Sequence, residues 1–175
     1  MKNEMVRKFI SACRHDEPML WDEEIALLPR VYFGYHKQIR CDHSLVFDIV
    51  ERDQAKIAGE IALRIGDSPE QFYLGHIGYH IDPPYRGHAY AAKACRLCAP
   101  VLGYFAMRHV VITTDPDNAA SIRTCVRLGC ELESTVQVPR AVHEKLDISH
   151  VKCRFIWTLP ANAEQQAEEI LHRLK

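Results

Sequence analysis

The segment whose residues point most directly to chemistry is a short loop before a predicted helix, Arg86-Gly87-His88-Ala89-Tyr90-Ala91. Such a loop brings backbone N–H groups to the start of the helix, where unpaired amides and the helix dipole favour an anion. Gly87 and Ala89 carry little or no side chain that would keep a phosphate away from the backbone. The residues alone allow two interpretations, a phosphate-binding loop or an ordinary connection between a strand and a helix.

A second segment with possible ligand contacts follows the next predicted strand. Asp115-Pro116-Asp117-Asn118 is typical of a turn, with Asn118 as the N-cap of a helix from Ala119 to Leu128. Ser121 falls in the first turn of this helix, and Gly129 ends it. An amide and a hydroxyl at a helix start can cap free N–H groups or can face a bound molecule, and the sequence leaves both open.

Three side chains on two predicted strands are candidates for a general base. His76 and His80 precede the loop on one strand, and Glu60 lies on the strand before it. An imidazole, with an ordinary pKa of about 6.5, is suited to proton transfer near neutral pH. Each residue also fits a structural interpretation, as a solvated or paired side chain on one face of a sheet. His76 is our first candidate, and Glu60 and His80 are its competitors.

The histidines and cysteines do not form a metal-binding pattern. His76 and His80 are four residues apart, which on a strand is about 13 Å and too far for one ion. Cys95 and Cys98 have C-x-x-C spacing, but in a predicted helix and without a second pair of ligands. We therefore expect no metal. Seven cysteines without a disulfide pattern favour a reducing compartment, and we expect a cytoplasmic protein.

The composition argues against several classes of partner. A chain of 175 residues is long enough for one domain with a substantial core. Lys and Arg number 22 and Asp and Glu 23, a formal net charge of −1, whereas a nucleic-acid groove usually needs a basic excess. No apolar run approaches the ~20 residues of a membrane helix, and the start lacks the apolar segment of a signal peptide. We expect neither nucleic acid nor membrane as a partner.

Hydrophobic periodicity predicts the elements that position these segments. The predicted strands are Ser44–Val50, Lys56–Ile65, Gln71–Ile81, Val110–Thr114, Glu131–Val138 and His150–Leu159. Helices are predicted from about Arg86, with a kink or a second short helix at Pro100, from Ala119 to Leu128, and over about 162–174. The start of the chain is harder to read: residues 5–10 fit a short strand, Pro18–Leu28 fits a helix, and 31–36 and 139–149 fit loops.

Taken together, the two ligand-facing segments resemble the GNAT superfamily of acyl-CoA-dependent N-acyltransferases. The loop 86–91 matches its pyrophosphate-loop pattern, Gln/Arg-x-x-Gly-x-Gly/Ala. Asn118-x-x-Ser121, followed by Leu128-Gly129, matches its second cofactor motif. The strand Ile77-Gly78-Tyr79 and the turn Asp82-Pro83-Pro84-Tyr85-Arg86-Gly87 are similar to the branch of ribosomal-protein N-terminal acetyltransferases and their small-molecule relatives. The order of elements fits over about residues 44–158.

The resemblance implies a fold, a cosubstrate and a set of binding residues. We expect one α+β domain over residues 1–175, with a mixed, mostly antiparallel twisted sheet, helices on both faces and two central strands splayed apart. Acetyl-CoA would pair its pantetheine arm with a strand edge and place its pyrophosphate on the loop. The residues implied to bind it are His80, Ile81, Asp82, Arg86, Gly87, His88, Ala89, Tyr90, Ala91, Asn118 and Ser121.

The implied activity is transfer of an acetyl group to a primary amine by direct attack on the thioester. The acceptor amine can belong to a small molecule or to a protein N-terminus, and the sequence does not distinguish them. A homodimer is also left open. A tyrosine that the family often carries in the second helix, as the acid for the departing thiolate, is replaced by Cys125. The Cys125 thiol, or water, would then supply the proton. This departure keeps a non-catalytic acyl-CoA-binding or regulatory domain as the alternative, with a thiol- or metal-dependent hydrolase more remote.

Overall fold

The computed structural model describes residues 2–12 and 20–172, which form seven helices and eight strands. The strands are β1 (Leu20–Trp21), β2 (Ile25–Phe33), β3 (His43–Glu51), β4 (Lys56–Ile65), β5 (Ile77–Ile81), β6 (His109–Thr114), β7 (Glu131–Gln137) and β8 (Val151–Thr158). The helices are α1 (Lys2–Ala12), α2 (Pro69–Leu74), α3 (Tyr90–Leu97), α4 (Ala99–Tyr104), α5 (Ala119–Leu128), α6 (Arg140–Leu146) and α7 (Ala163–His172). None of these helices is long and apolar enough to cross a membrane.

The strands form one mixed sheet in the order β1-β2-β3-β4-β5-β6-β8-β7. Every neighbouring pair is antiparallel except β5 and β6, which run parallel. β5 and β6 pair only at Ile77 and Ile112, and they separate towards their carboxyl ends. The α+β class and the mostly antiparallel mixed sheet are therefore confirmed, and β5 and β6 are the two splayed strands.

Alternation along the central strands separates a buried face from a polar one. Leu45, Phe47 and Ile49 of β3, with Ile61 and Leu63 of β4, are fully buried in the core that α1, α3 and α4 complete. Their neighbours in sequence point to the other face, which carries polar and small side chains. The core thus lies on one side of the centre of the sheet, and polar and small side chains lie on the other.

The strand predicted over Gln71–Ile81 is wrong in its first half. Residues 69–74 form α2, and only Ile77–Ile81 is a strand. A capping box explains the helix: Ser68 Oγ accepts from the Gln71 amide at 3.2 Å, and Gln71 Oε1 accepts from the Ser68 amide at 3.4 Å. Pro69 at the first helical position suits the same start.

The first 33 residues also differ from expectation. Residues 5–10 belong to α1 and not to a strand, because Val6, Phe9 and Ile10 recur at helical spacing and are buried together. Pro18 and Met19 lie outside the described residues, and the predicted helix is wrong over residues 20–28, which contain β1 and the start of β2. Pro29 lies where the pairing of β2 with β3 shifts register, between Pro29 and Val31, and a bulge of this kind tolerates proline.

Two later expectations meet different outcomes. Pro100 lies in the first turn of a second short helix, α4, which is one of the two predicted arrangements. The segment 139–149, predicted as a loop, contains α6.

The side chain of His76 connects the start of β5 to β6 and to the turn at Gly66 by hydrogen bonds. Its Nδ1 accepts a hydrogen bond from the Val111 amide of β6 at 2.8 Å, and its Nε2 donates to the Gly66 carbonyl at 3.1 Å. An imidazole that accepts at one nitrogen and donates at the other is neutral. Burial, the largest cause, lowers the pKa of His76 and favours this neutral form.

This environment predicts a pH-dependent contribution of His76 to stability. Because its pKa is lowered on folding, the unfolded chain binds the proton more readily, and the contribution is complete above about pH 6.5 and declines as the pH falls below it. His76→Gln, which offers one donor and one acceptor, should cost about 1 kcal/mol at pH 8 and show a shallower loss of stability between pH 7 and pH 5. Urea unfolding across this range measures both, and equal slopes for the two proteins would contradict the assignment.

Candidate functional site

A cavity of about 520 Å³ lies between the carboxyl end of β5, the loop that follows it and one face of α5. Its lining is cationic and aromatic, with three arginines and no carboxylate. The lining residues are Tyr79, His80, Ile81, Tyr85, Arg86, Gly87, Ala89, Tyr90, Ala91, Asn118, Ala120, Ser121, Arg123, Thr124 and Arg127. Nine of the eleven residues that the sequence predicted for cofactor binding are among them. Asp82 and His88 are not.

The loop between β5 and α3 has a backbone suited to an anion. Gly87 has a φ of +91°, and a Cβ placed on it would meet no atom within 4 Å. Ala89 is the N-cap of α3 in the left-handed conformation, with a φ of +58°, where a Cβ costs about 1 kcal/mol. The first N–H groups of α3 have no partner within the helix, and the Ala89 side chain provides no cap for them. Tyr90 and Ala91, which carry two of these groups, line the cavity.

Asn118 and Ser121 lie on the opposite wall, at the start of α5. Asn118 Oδ1 accepts from the Ser121 amide at 3.1 Å, which is the N-cap geometry that the sequence predicted. Gly129 ends the helix in the left-handed conformation, also as predicted. The two predicted residues thus share a capping bond while they face the cavity.

Tyr79 is a cavity residue whose role the sequence analysis missed. Its hydroxyl is 2.8 Å from Ser121 Oγ, so that β5 and α5 are joined across the cavity by two hydroxyls. Burial, the largest cause, raises the pKa of Tyr79, and the phenol stays protonated. The strand motif Ile77-Gly78-Tyr79 marked the residue, but nothing in the sequence indicated that it meets a serine 42 positions later.

Five further lining residues were also missed, Tyr85 in the loop and four residues on α5. These four are Ala120, Arg123, Thr124 and Arg127. Their spacing of three and four places them on one face of the helix, beside Ser121. Helical periodicity counted from Ala120, at steps of three, four and seven residues, would have found the other three.

Cys125, predicted as a proton donor, does not line the cavity. Its side chain is fully buried, one turn beyond Ser121. A hydrogen bond with Cys130, the largest cause, and burial raise the pKa of the Cys125 thiol. The thiol therefore points from α5 into the protein interior and does not line the cavity.

The three candidate bases occupy different environments. His76 has both ring nitrogens bonded to backbone groups and lies outside the cavity lining, which argues against the role we predicted for it. Glu60 is paired with Arg30, whose other nitrogen donates to Asp48 at 2.9 Å. His80 lies opposite Glu60 in the sheet and lines the cavity, and its Nε2 is 3.4 Å from Asp82 Oδ1.

Within residues 2–12 and 20–172, no three His, Cys, Asp or Glu side chains lie close enough together to hold a metal ion. The polar groups that converge on the cavity are backbone amides, hydroxyls, guanidinium groups, the His80 imidazole and the Asn118 carboxamide. These are ligands for anions and for hydrogen-bonding groups.

Several solved structures share the fold. The Microcin C7 self immunity acetyltransferase MccE, in complex with acetyl-CoA and AMP, is 22% identical with a TM-score of 0.52 over 66% of this chain and 61% of that protein. The ribosomal-protein-S5-alanine acetyltransferase of Vibrio fischeri is 19% identical, with a TM-score of 0.51 over 67% and 63%. The ribosomal L7/L12 alpha-N-protein acetyltransferase RimL is 17% identical, with a TM-score of 0.52 over 67% and 71%. The chain therefore spans less than two thirds of the first two proteins.

At these levels of identity, the similarities describe the fold alone. No curated protein matches the sequence. The family model of the acetyltransferase (GNAT) domain matches residues 2–131, which include the loop 86–91 and the start of α5. This match spans most of the chain and both walls of the cavity, and it shows that the chain belongs to the GNAT acetyltransferase family.

Proposed function

We propose that the protein is an N-acetyltransferase that uses acetyl-CoA to acetylate a primary amine. The observation that carries the proposal is the cavity itself, where the uncapped start of α3 and the left-handed Ala89 face three arginines and no carboxylate. A pyrophosphate fits this arrangement because the amides and the helix dipole stabilise its charge. MccE, which shares the fold, contains acetyl-CoA.

The edge of β5 offers a place for the amide-rich arm of the cosubstrate. The His76 carbonyl accepts from the Arg64 amide of β4, so alternation turns the backbone groups of Tyr79 and Ile81 away from β4. The β6 pairing ends at Ile77, and Arg86 Nε donates to the Ile81 carbonyl at 3.0 Å. An extended amide chain can add to the free edge at Tyr79 as a further strand would.

The loop assignment predicts that Ala89→Glu abolishes binding of CoA. A carboxylate at this position would occupy the place of the pyrophosphate and repel it. For the unsubstituted protein, saturating CoA should raise the melting temperature by several degrees, since binding to the folded state stabilises it. Thermal unfolding with and without CoA measures the effect, and the variant should show no shift.

Two matched variants isolate the cause. Ala89→Gly removes only the methyl group and suits the left-handed backbone, so the shift should persist. Ala141→Glu adds the same charge on the exposed face of α6, outside the cavity lining, and should also keep the shift. Full stabilisation of Ala89→Glu by CoA would show that the loop does not bind the pyrophosphate.

Direct transfer requires a neutral amine at the thioester. A lysine-like amine with a pKa of about 10.4 is rarely neutral at pH 7, whereas an α-amine with a pKa near 8 is neutral in about one molecule in ten. Of the three candidate bases, His80 is the one that lines the cavity. Its side chain is 59% exposed, so solvent also reaches the ring. The amine nitrogen would bond to the carbonyl carbon, the carbon–sulfur bond would break, and the amine proton would pass to the His80 ring directly or through water.

His80→Gln should therefore lower the acetylation rate by roughly 10²-fold or more, with little change in the affinity for acetyl-CoA. The loss should be larger for lysine-like amines than for α-amines, which supply more of the neutral form themselves. Free thiol release measured over a panel of amines tests this. His109→Gln, a change of an exposed histidine outside the cavity, is the control. An unchanged rate in His80→Gln would leave water as the proton acceptor.

The departing thiolate needs a proton, and the paired hydroxyls of Tyr79 and Ser121 are candidate donors because they join β5 to α5 at the cavity. Tyr79→Phe should lower the turnover rate by roughly 10²-fold while the Michaelis constant for acetyl-CoA changes little. Tyr104→Phe removes the same hydroxyl from a half-buried tyrosine that stacks on Phe9, outside the cavity, and should leave the rate intact. Equal turnover of Tyr79→Phe and the unsubstituted protein would assign the proton to water.

The alternative is a non-catalytic acyl-CoA-binding domain. It was supported by the cysteine at position 125, where the family often carries a tyrosine that would protonate the thiolate. The Tyr79 hydroxyl beside Ser121 offers another proton donor and weakens that alternative. Free thiol release from acetyl-CoA in the presence of amines separates the two functions, because a binding domain would be stabilised by CoA without releasing thiol.

A further inference from the structure

Two of the three arginines of the cavity lie on α5, away from the loop. Arg123 and Arg127 are four residues apart, so they share one face of the helix, and both are exposed and line the cavity. Neither forms an ion pair with any carboxylate in the described part of the chain. Two like charges at this spacing repel each other, and an anion between them would remove the penalty.

The α5 wall adds two positive charges to those of the loop. The loop side of the cavity, where we propose that the pyrophosphate binds, already has the amides at the start of α3 and Arg86. The chain as a whole carries a net charge of −1, yet the lining combines three guanidinium groups with no carboxylate. The two arginines on α5 can therefore bind a second anionic group.

The geometry points to a phosphate monoester as that group, and we propose that Arg123 and Arg127 bind the 3′-phosphate on the ribose of CoA. Guanidinium groups suit phosphate oxygens because their paired N–H groups match them. The consequence is selectivity: the protein prefers CoA to dephospho-CoA, which lacks only this phosphate. The inference rests on the proposed use of acetyl-CoA and assigns to α5 the recognition of one part of it.

The test compares the affinities of CoA and dephospho-CoA by titration calorimetry. The unsubstituted protein should bind CoA more tightly by roughly tenfold or more, the factor that charge-assisted hydrogen bonds supply. The double variant Arg123→Ala/Arg127→Ala should bind the two ligands about equally, with its affinity for dephospho-CoA nearly unchanged. Salt should reduce the preference of the unsubstituted protein, because these side chains are exposed to solvent.

Three controls give every outcome a meaning. Arg108→Ala/Arg140→Ala removes two exposed positive charges outside the cavity and should keep the preference. Arg123→Lys/Arg127→Lys keeps the charge and should restore part of it. Adenosine 3′,5′-bisphosphate should compete with CoA more strongly than AMP does.

Equal affinities in the unsubstituted protein, or an equal loss for both ligands in the double alanine variant, would overturn the inference while leaving the use of CoA intact. Binding of neither ligand would overturn the proposed function as well. Phosphoserine tests whether the two arginines bind a phosphate group of the acceptor instead of the 3′-phosphate of CoA. If phosphoserine raises the melting temperature of the CoA-bound protein only when both arginines are present, the site belongs to the acceptor and the proposal is wrong.

Discussion

The cavity depends on how β5 meets β6. These parallel strands are held together at their amino ends, where the His76 amide donates to the Val111 carbonyl at 2.7 Å and the Val111 amide donates to the His76 ring. Gly75 permits this approach, since its φ is +75° and a Cβ on it would lie 2.9 Å from the Val111 carbonyl. Past Ile77 and Ile112 the pairing ends. A sheet clamped at one end and open at the other exposes a strand edge beside the loop.

The distribution of charge follows from the same opening. The acidic side chains near the end of β5 lie beside the sheet's polar face, where Arg30 bridges Asp48 and Glu60. On the side of α3 and α5, the cavity presents arginines and unpaired amides. A chain with a net charge near zero can therefore attract a polyanionic acetyl donor to this cavity. The electrostatic potential in a cleft depends on the charges that line it and on its low dielectric constant more than on the net charge of the protein. His80 lies between these two regions.

The two ends of α5 were predicted correctly because they are decided within a few residues. The cap at Asn118 and the end of α5 at Gly129 depend on local hydrogen bonds and on the left-handed conformation of one glycine. The helix α2 was also decided locally, by the Ser68–Gln71 capping box, but the alternating hydrophobic residues that follow favoured a strand. In the first 33 residues, the helical spacing of Val6, Phe9 and Ile10 is too short a pattern to identify α1 alone, and α1 and β2 are stabilised by the core against which they pack.

The roles of His76 and Tyr79 could not be read from the sequence, because their partners lie 35 and 42 positions away. A histidine on a predicted strand fits a base as well as a clamp, and only the position of Val111 distinguishes them. For Tyr79 the family pattern was misleading in a specific way. It directed attention to the residue at position 125, where a tyrosine was missing, and away from a tyrosine on the facing strand.

The cysteine at position 125 of α5 and the tyrosine at position 79 of β5 are related, because their side chains are in contact. The side chain of Cys125 is fully buried beside the Tyr79 hydroxyl, and that hydroxyl is held by Ser121. A tyrosine at position 125 would compete with the Tyr79 ring for the same volume, since protein interiors have no room for a second ring of that size. A small residue on α5 therefore leaves the space that the β5 tyrosine fills, and a phenol reaches the cavity from the strand instead of the helix.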